Sequence, residues 1–312
     1  MTFRNLLFAL ALLVLGGAQA EASESPSLQL IDLTREFDEV WARTSGMKEP
    51  ARAAAFKGHF AERLPGFYDH RRLGLSSATR YDAHLLKALR AYPEQRAGIR
   101  DVSRRFSAML APAQRSFEAE FGPMTGYPPI YLVHSLGEFD GGTRTLPEGS
   151  RLLFGADMIA RLYEGRNPLP FFHHELFHLY HARTFPICQP IWCSLWTEGL
   201  ATYVASKLNE GASDEELLLS WPAPLRPAVE RDRPAAVCST LKLLNSIDGD
   251  DYVALFSNGK PGGGLPSRYG YYVGYLVAAE AGKTRSLQQL AQLGSEEVRP
   301  LVEATLRNMA SC

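Results

Sequence analysis

Residues 173–181 read His173-His174-Glu175-Leu176-Phe177-His178-Leu179-Tyr180-His181, and no other stretch constrains the fold as tightly. Two histidines four positions apart fall on one face of a helix, one turn apart. At that spacing both imidazoles reach one metal ion, and with Glu175 after the first histidine the pattern is His-Glu-x-x-His, a zinc-helix spacing. Glu175 is offset around the helix, so it lies beside the metal rather than on it. There it can take a proton from a zinc-bound water. The flanks agree with a helix. Asn167 is a good N-cap, Pro168 and Pro170 fall in the first turn, and Pro186 stops the helix near Thr184. Phe172, Leu176, Leu179 and Tyr180 form an apolar stripe able to pack inward.

A catalytic zinc usually takes a third protein ligand and keeps one position open. Glu198 lies twenty residues after His178, in Leu195-Trp196-Thr197-Glu198-Gly199-Leu200-Ala201-Thr202, a segment of helical composition. Two helices joined by a turn bring it to the same metal. The pair His-Glu-x-x-His and, downstream, Glu-Gly-x-Ala resembles the gluzincin group of zinc metallopeptidases. The second segment is similar to that of the aminopeptidase-N-like enzymes and of uncharacterised predicted zinc-dependent proteases. The resemblance spans roughly residues 126–280 and is sharp in the two motifs. It implies one Zn2+ per chain on His174, His178 and Glu198, with Glu175 as general base. A metzincin would need Gly at 181 and His at 184, where this chain has His181 and Thr184. The aminopeptidase Gly-x-Met-Glu-Asn element is missing upstream, which argues against aminopeptidase activity.

Peptide hydrolysis at zinc develops an oxyanion that a second donor helps to stabilise. Gluzincins often use a Tyr or His, and here Tyr271 is the first candidate and Tyr272 the second, in Gly270-Tyr271-Tyr272-Val273-Gly274-Tyr275. That phrase is similar to one downstream of the metal motifs in the predicted-protease families. Thr202, one turn beyond Glu198, is placed to accept the N–H of a zinc-bound histidine. His181, one turn beyond His178, is either a partner behind the metal ligands or a charge favoured by the helix C-terminus. His173 points elsewhere, as a structural residue.

The first twenty residues read as a cleavable signal peptide. Arg4 supplies the positive start, residues 6–15 an apolar run too short to span a bilayer, and Ala18-Gln19-Ala20 a cleavage site, so the mature chain begins at Glu21. A periplasmic or secreted protein without a membrane anchor is expected. The four cysteines then suggest disulfides. Three pairings are open. In the one favoured here, Cys188 joins Cys193 across a short loop and Cys238 ties Cys312 at the C-terminus. With 33 basic and 34 acidic residues the chain shows no basis for a nucleic-acid or anionic-membrane partner. Arg71-Arg72 and Arg104-Arg105 read as solvated faces, and His59, His70 and His84 as surface or packing residues.

Apolar periodicity predicts helices through Leu30, Leu33, Phe37, Val40 and Trp41; through Phe56, Phe60 and Leu64; through Tyr81, Leu85 and Leu89; and from Ile99 to Leu110, broken or kinked at Pro112. From Gly126 the composition changes. Residues 129–133 and 151–154 are β-like, with a turn over 139–143 between them. Residues 152–155 are the candidate edge strand for an extended substrate. Ser213 to Glu216 is a capping-box pattern that starts a short helix. Pro222, Pro224 and Pro227 mark a loop, residues 235–247 a helix, 258–264 a mobile glycine-rich loop, and Ser267 the cap of a helix over 268–281. Gly270, Gly274 and Ala278 form a small-residue stripe for close helix packing.

The expected fold is α+β and mainly helical: a helical N-terminal layer over residues 21–125, and a zincin-like domain with a small antiparallel sheet over 126–312. The expected function is an exported zinc peptidase acting on a peptide or protein substrate. The alternatives are a non-proteolytic periplasmic zinc-binding module, against which Glu175 stands, and a zinc hydrolase acting on a non-peptide substrate.

Overall fold

The computed structural model describes residues 28–75, 77–186 and 188–312. The expected signal peptide and the Glu21 start lie outside the described residues. The elements of the first half are β1 (Leu30–Asp32), α1 (Thr34–Thr44), α2 (Glu49–Arg63), a 3-10 turn (His70–Leu73), α3 (Ala78–Phe121), β2 (Ile130–Val133), β3 (Gly141–Leu146), β4 (Gly149–Gly155) and α4 (Ala156–Leu162). Helices form the rest: α5 (Leu169–His181), α6 (Ile191–Leu208), α7 (Leu225–Glu230), α8 (Arg233–Leu243), α9 (Gly249–Phe256), α10 (Tyr269–Ala281), α11 (Leu287–Ala291) and α12 (Ser295–Met309). The fold is α+β and mainly helical, with a four-stranded sheet in the order β1-β2-β4-β3.

The sheet is mixed rather than antiparallel. β1 pairs with β2, and β2 with β4, in parallel, while β3 and β4 are antiparallel. The connections explain this. Parallel neighbours need a long crossover, and α1 to α3 provide one between β1 and β2. β3 and β4 are joined only by Pro147 and Glu148, a two-residue hairpin turn. Leu30 thus begins a strand, not the first helix, and its register partner is Ile130. The helical N-terminal segment supplies an edge of the same sheet that residues 130–155 build.

The two helices expected between residues 81 and 112 are one, α3, which runs through Pro93 and Pro112. The buried residues Tyr81, Leu85, Leu89, Tyr92, Ile99, Val102, Phe106, Leu110, Ala113, Phe117 and Phe121 keep helical spacing across both prolines. That continuous burial outweighs the hydrogen bond each proline removes. The segment 139–143, read as a turn, contains the start of β3. Around Ser213 the box does form, since Glu216 accepts the Ser213 N–H at 2.8 Å, but only turns follow. Pro224 precedes the short helix α7, which carries Pro227 in its first turn. Ser267 does not cap α10; the N-cap position falls to Arg268, in the left-handed region with φ +68° and with no side-chain cap hydrogen bond. Arg72, expected in solvent, is buried in an ion pair with Glu138 at 2.7 Å.

Both disulfides form in the favoured pairing, Cys188–Cys193 and Cys238–Cys312. Two disulfides fit an oxidising compartment. Among the described residues no helix is long and apolar enough to cross a membrane.

Candidate metal centre

α5 starts one residue later than the sequence places it, with Pro168 rather than Asn167 at the N-cap. The Asn167 side chain accepts the Leu169 N–H at 3.1 Å, and the helix ends at His181, one turn before the expected stop. It is buried on nearly all sides. Phe172 meets Phe106 of α3 and Phe154 of β4, both with ring centroids 5.6 Å away, and Phe177 meets Phe121 of α3 at 5.7 Å. His173 fastens the helix to two neighbours. One ring nitrogen, Nε2, faces Ser116 Oγ at 2.8 Å and the Ala113 carbonyl at 3.2 Å, and Nδ1 accepts from the Asn209 amide at 2.7 Å. It is structural, as read from the sequence, and burial lowers its pKa to about 4.

α6 returns antiparallel to α5, pinned at its start by the Cys188–Cys193 bridge, and delivers Glu198. The Nε2 atoms of His174 and His178 lie 3.0 Å apart, and each is 3.3 Å from Glu198 Oε2. A tetrahedral zinc with bonds of about 2.0–2.1 Å separates its ligand atoms by about 3.3–3.4 Å. The three atoms therefore already have the spacing of one face of such a site, and the largely buried group fits a metal ion. Its electrostatics agree. Burial alone would raise Glu198, but His178 and His174 hold the carboxyl well below the usual range. Burial lowers His174, whereas Glu198 overrides burial at His178 and raises it to about 9. A cation replacing that last proton leaves three lone pairs directed at one point.

Glu175 stands beside the group and outside it. It is buried, and its Oε2 has no hydrogen-bond partner. Burial pushes its pKa up to about 7, opposed by His178 and reinforced by Asp140. A Cβ on Gly141 would lie 3.0 Å from the Glu175 Cγ and 2.7 Å from the Phe171 ring, so β3 begins directly against α5. β3 is also one of the two edge strands of the sheet, β1 being the other. Residues 152–155 are not an edge, because β4 is paired on both sides.

Tyr271 lies over the site, its ring 6.3 Å from that of His174. Burial, then Glu198, raises its pKa well above the ordinary phenol, so it remains a proton donor at neutral pH. Tyr272, the second candidate, points away: its hydroxyl donates to Glu230 at 2.7 Å. The Thr202 hydroxyl donates to the Glu198 backbone carbonyl at 2.8 Å, one turn back in its own helix, rather than serving a histidine. His181 carries no helix-end charge. It is stacked between Phe177 and Phe185, each 5.0 Å away, and burial lowers its pKa to about 3. His59, His70 and His84 each lie near one carboxylate, and none joins a metal group among the described residues.

A second polar cluster is enclosed. Asp157 accepts from the Ser135 N–H at 2.6 Å and the Gly137 N–H at 2.7 Å, beside His134, and so braces the turn that leads to β3. Three groups near the centre carried no sequence signal: Arg144 of β3, Tyr252 of α9 and Arg268. Arg144 and Tyr252, far apart in the sequence, act on each other electrostatically, a relation that periodicity cannot reach. No protein-family model, curated protein or solved structure matches the chain, so the functional reading rests on the geometry of the site.

Proposed function

We propose that the protein is a zinc-dependent peptidase with a zincin-like domain of gluzincin type, working in an oxidising compartment outside the cytoplasm. His174, His178 and Glu198 would hold the zinc. When bound, the ion supplies a Lewis acid for the scissile carbonyl and acidifies the attacking water. Glu175 takes the proton from that water on its carboxylate and passes it to the leaving nitrogen. A pKa near neutrality suits both steps, since the group must accept and then release the proton. The Tyr271 hydroxyl, which makes no hydrogen bond to any described residue, donates to the developing oxyanion. The outer edge of β3 offers its backbone to an extended peptide.

The observation that carries this reading is Glu175. A carboxylate buried at the metal group with an unpartnered oxygen destabilises the fold, and a purely structural zinc site has no use for it. The test is Glu175→Gln. It keeps zinc and fold and loses hydrolysis by about 10²–10⁴, measured on a substrate found by screening a peptide library with and without chelator. Cleavage by this variant at the wild-type rate would rule the mechanism out. If zinc-loaded wild type cleaves no peptide, the zinc-binding module or a hydrolase of another substrate takes its place.

A further inference from the structure

We propose that Arg144 and Arg268, together with Tyr252, form a carboxylate-binding subsite beside the metal centre, so that the preferred ligand is a peptide carrying a free carboxylate close to the bond held at the metal. The description of that ligand as a substrate rests on the peptidase reading above; the anion site itself does not.

Both guanidinium groups are half-buried and lack a counter-ion. Arg144 donates to the Thr143 carbonyl at 3.0 Å and packs over the Phe139 ring at 4.2 Å, with no carboxylate in ion-pair range. Arg72 and Arg226, also partly or fully buried, do hold carboxylates, Glu138 at 2.7 Å and Asp214 at 2.8 Å. Asp140 does not serve Arg144, because its two oxygens accept from the Tyr163 hydroxyl at 2.9 Å and the Gly141 N–H at 3.0 Å. Arg268 makes no side-chain hydrogen bond to any described residue, and its Nε is buried without a partner. A partly desolvated charge with no counter-ion is costly, and an incoming anion offsets that cost.

The backbone at Arg268 points the same way. This arginine occupies the N-cap of α10 with φ +68°, a conformation that side chains other than glycine rarely adopt. It also sets a positive charge on the positive end of a helix dipole, with no acidic residue in the first turn. A carboxylate there would offset the charge on the helix end.

Both arginines lie close enough to the metal group to act on it, Arg268 on His174 and Arg144 on Glu175. Arg268 stacks on Tyr271 at 4.6 Å, and Tyr271 lies against His174. Arg144 is held on β3, where Glu175 acts on its charge. Both act on Tyr252, a half-exposed phenol whose hydroxyl has no hydrogen-bond partner among the described residues. The exposed Trp221 flanks Arg268 at 5.5 Å and supplies an apolar wall.

The experiment uses full-length zinc-loaded Glu175→Gln protein, so that bound peptide is not turned over, and titrates it calorimetrically with three acetylated peptide sets. One ends in a free carboxylate, one is the same series amidated, and one is amidated with Glu or Gln beside the central bond. Carboxylate-bearing peptides should bind about tenfold or more tightly than their neutral partners, the worth of a charge-assisted hydrogen bond. That advantage should vanish in added Arg268→Gln or Arg144→Gln while neutral peptides bind as before. If the free terminus alone gives the preference, the subsite reads C-terminal carboxylates; if Glu over Gln gives it, acidic side chains. Equal binding of charged and neutral peptides overturns the proposal without recourse to any arginine variant. Cleavage by wild type is scored separately. Carboxylate-dependent binding without cleavage removes the peptidase reading and upholds the anion site.

Discussion

A Cβ placed on Gly199 would lie 2.1 Å from the carbonyl carbon of Gly274, so α6 and α10 meet there backbone against backbone. The contact falls one residue after Glu198 and three after Tyr271. It sets the distance between the helix that carries Glu198 and the helix that carries Tyr271. Gly274 is equally confined, since its own Cβ would lie 2.3 Å from the Leu195 carbonyl oxygen.

Alanine at either position tests that contact. Propensity alone favours the change, by about 0.5–1 kcal/mol for Gly to Ala inside a helix. Overpacking opposes it, by about 1–3 kcal/mol or more where backbone must move. Gly199→Ala should therefore lower the Tm and weaken zinc binding. A rise in Tm would show that the helices are not confined as described.

Metal content follows the ligand geometry. His174→Ala and His178→Ala each remove one of three ligands and should abolish stoichiometric zinc in elemental analysis of purified protein, and Glu198→Gln should weaken it. Wild type should hold about one zinc per chain. Full occupancy in both histidine variants would displace the site.

The two neighbouring tyrosines should behave differently. Tyr271→Phe removes a hydroxyl that makes no hydrogen bond to any described residue, on a ring 6.3 Å from that of His174, and should cost on the order of 10²–10³ in turnover with zinc retained. Tyr272→Phe removes a hydroxyl already given to Glu230, so turnover should hardly change, and any effect should appear in the Tm. The reverse ranking would return Tyr272 to the site.

His181 makes the fold acid-sensitive apart from the metal. Its folded pKa, about 3, is far below the ordinary imidazole value of 6.5. Below pH 6.5 the unfolded chain gains a proton that the native ring refuses. The ring's contribution is thus complete above 6.5 and is lost as pH falls towards 3. The loss amounts to about 2 kcal/mol between pH 6.5 and 5. In chelator-treated protein, His181→Phe should flatten the fall of Tm over that interval. An unchanged slope would mean that the ring is protonated in the native state.

The metal group was legible because helical periodicity alone brings His174 and His178 together, and a short helix–turn–helix brings Glu198. The cysteine pairing was one of three open to the sequence, favoured because Cys188 and Cys193 have only a few residues between them, and it is the one that forms. Legibility ended where long-range packing overruled a local signal. The apolar spacing through Leu30 looked helical, yet a parallel partner one hundred positions away makes it a strand. Pro112 looked like a break, yet the buried stripe of α3 carries the helix through it. Gly141 and Gly142 looked like a turn. They open an edge strand whose lack of side chains lets it lie against Glu175. Arg268 and Tyr252 belong to no pattern at all, and only the tertiary fold puts them near His174.

The pairing of β1 with β2 also bears on how the chain is made. Leu30 leaves the ribosome one hundred residues ahead of Ile130, the partner it needs. Until then β1 has an unpaired backbone, and α1 to α3 can form before the sheet exists. Closing so long a loop carries a large entropic penalty and slows folding. The first strand of the sheet to be synthesised is therefore among the last to be secured. A holdase that bound residues near 30 would act on the whole molecule, metal helix included.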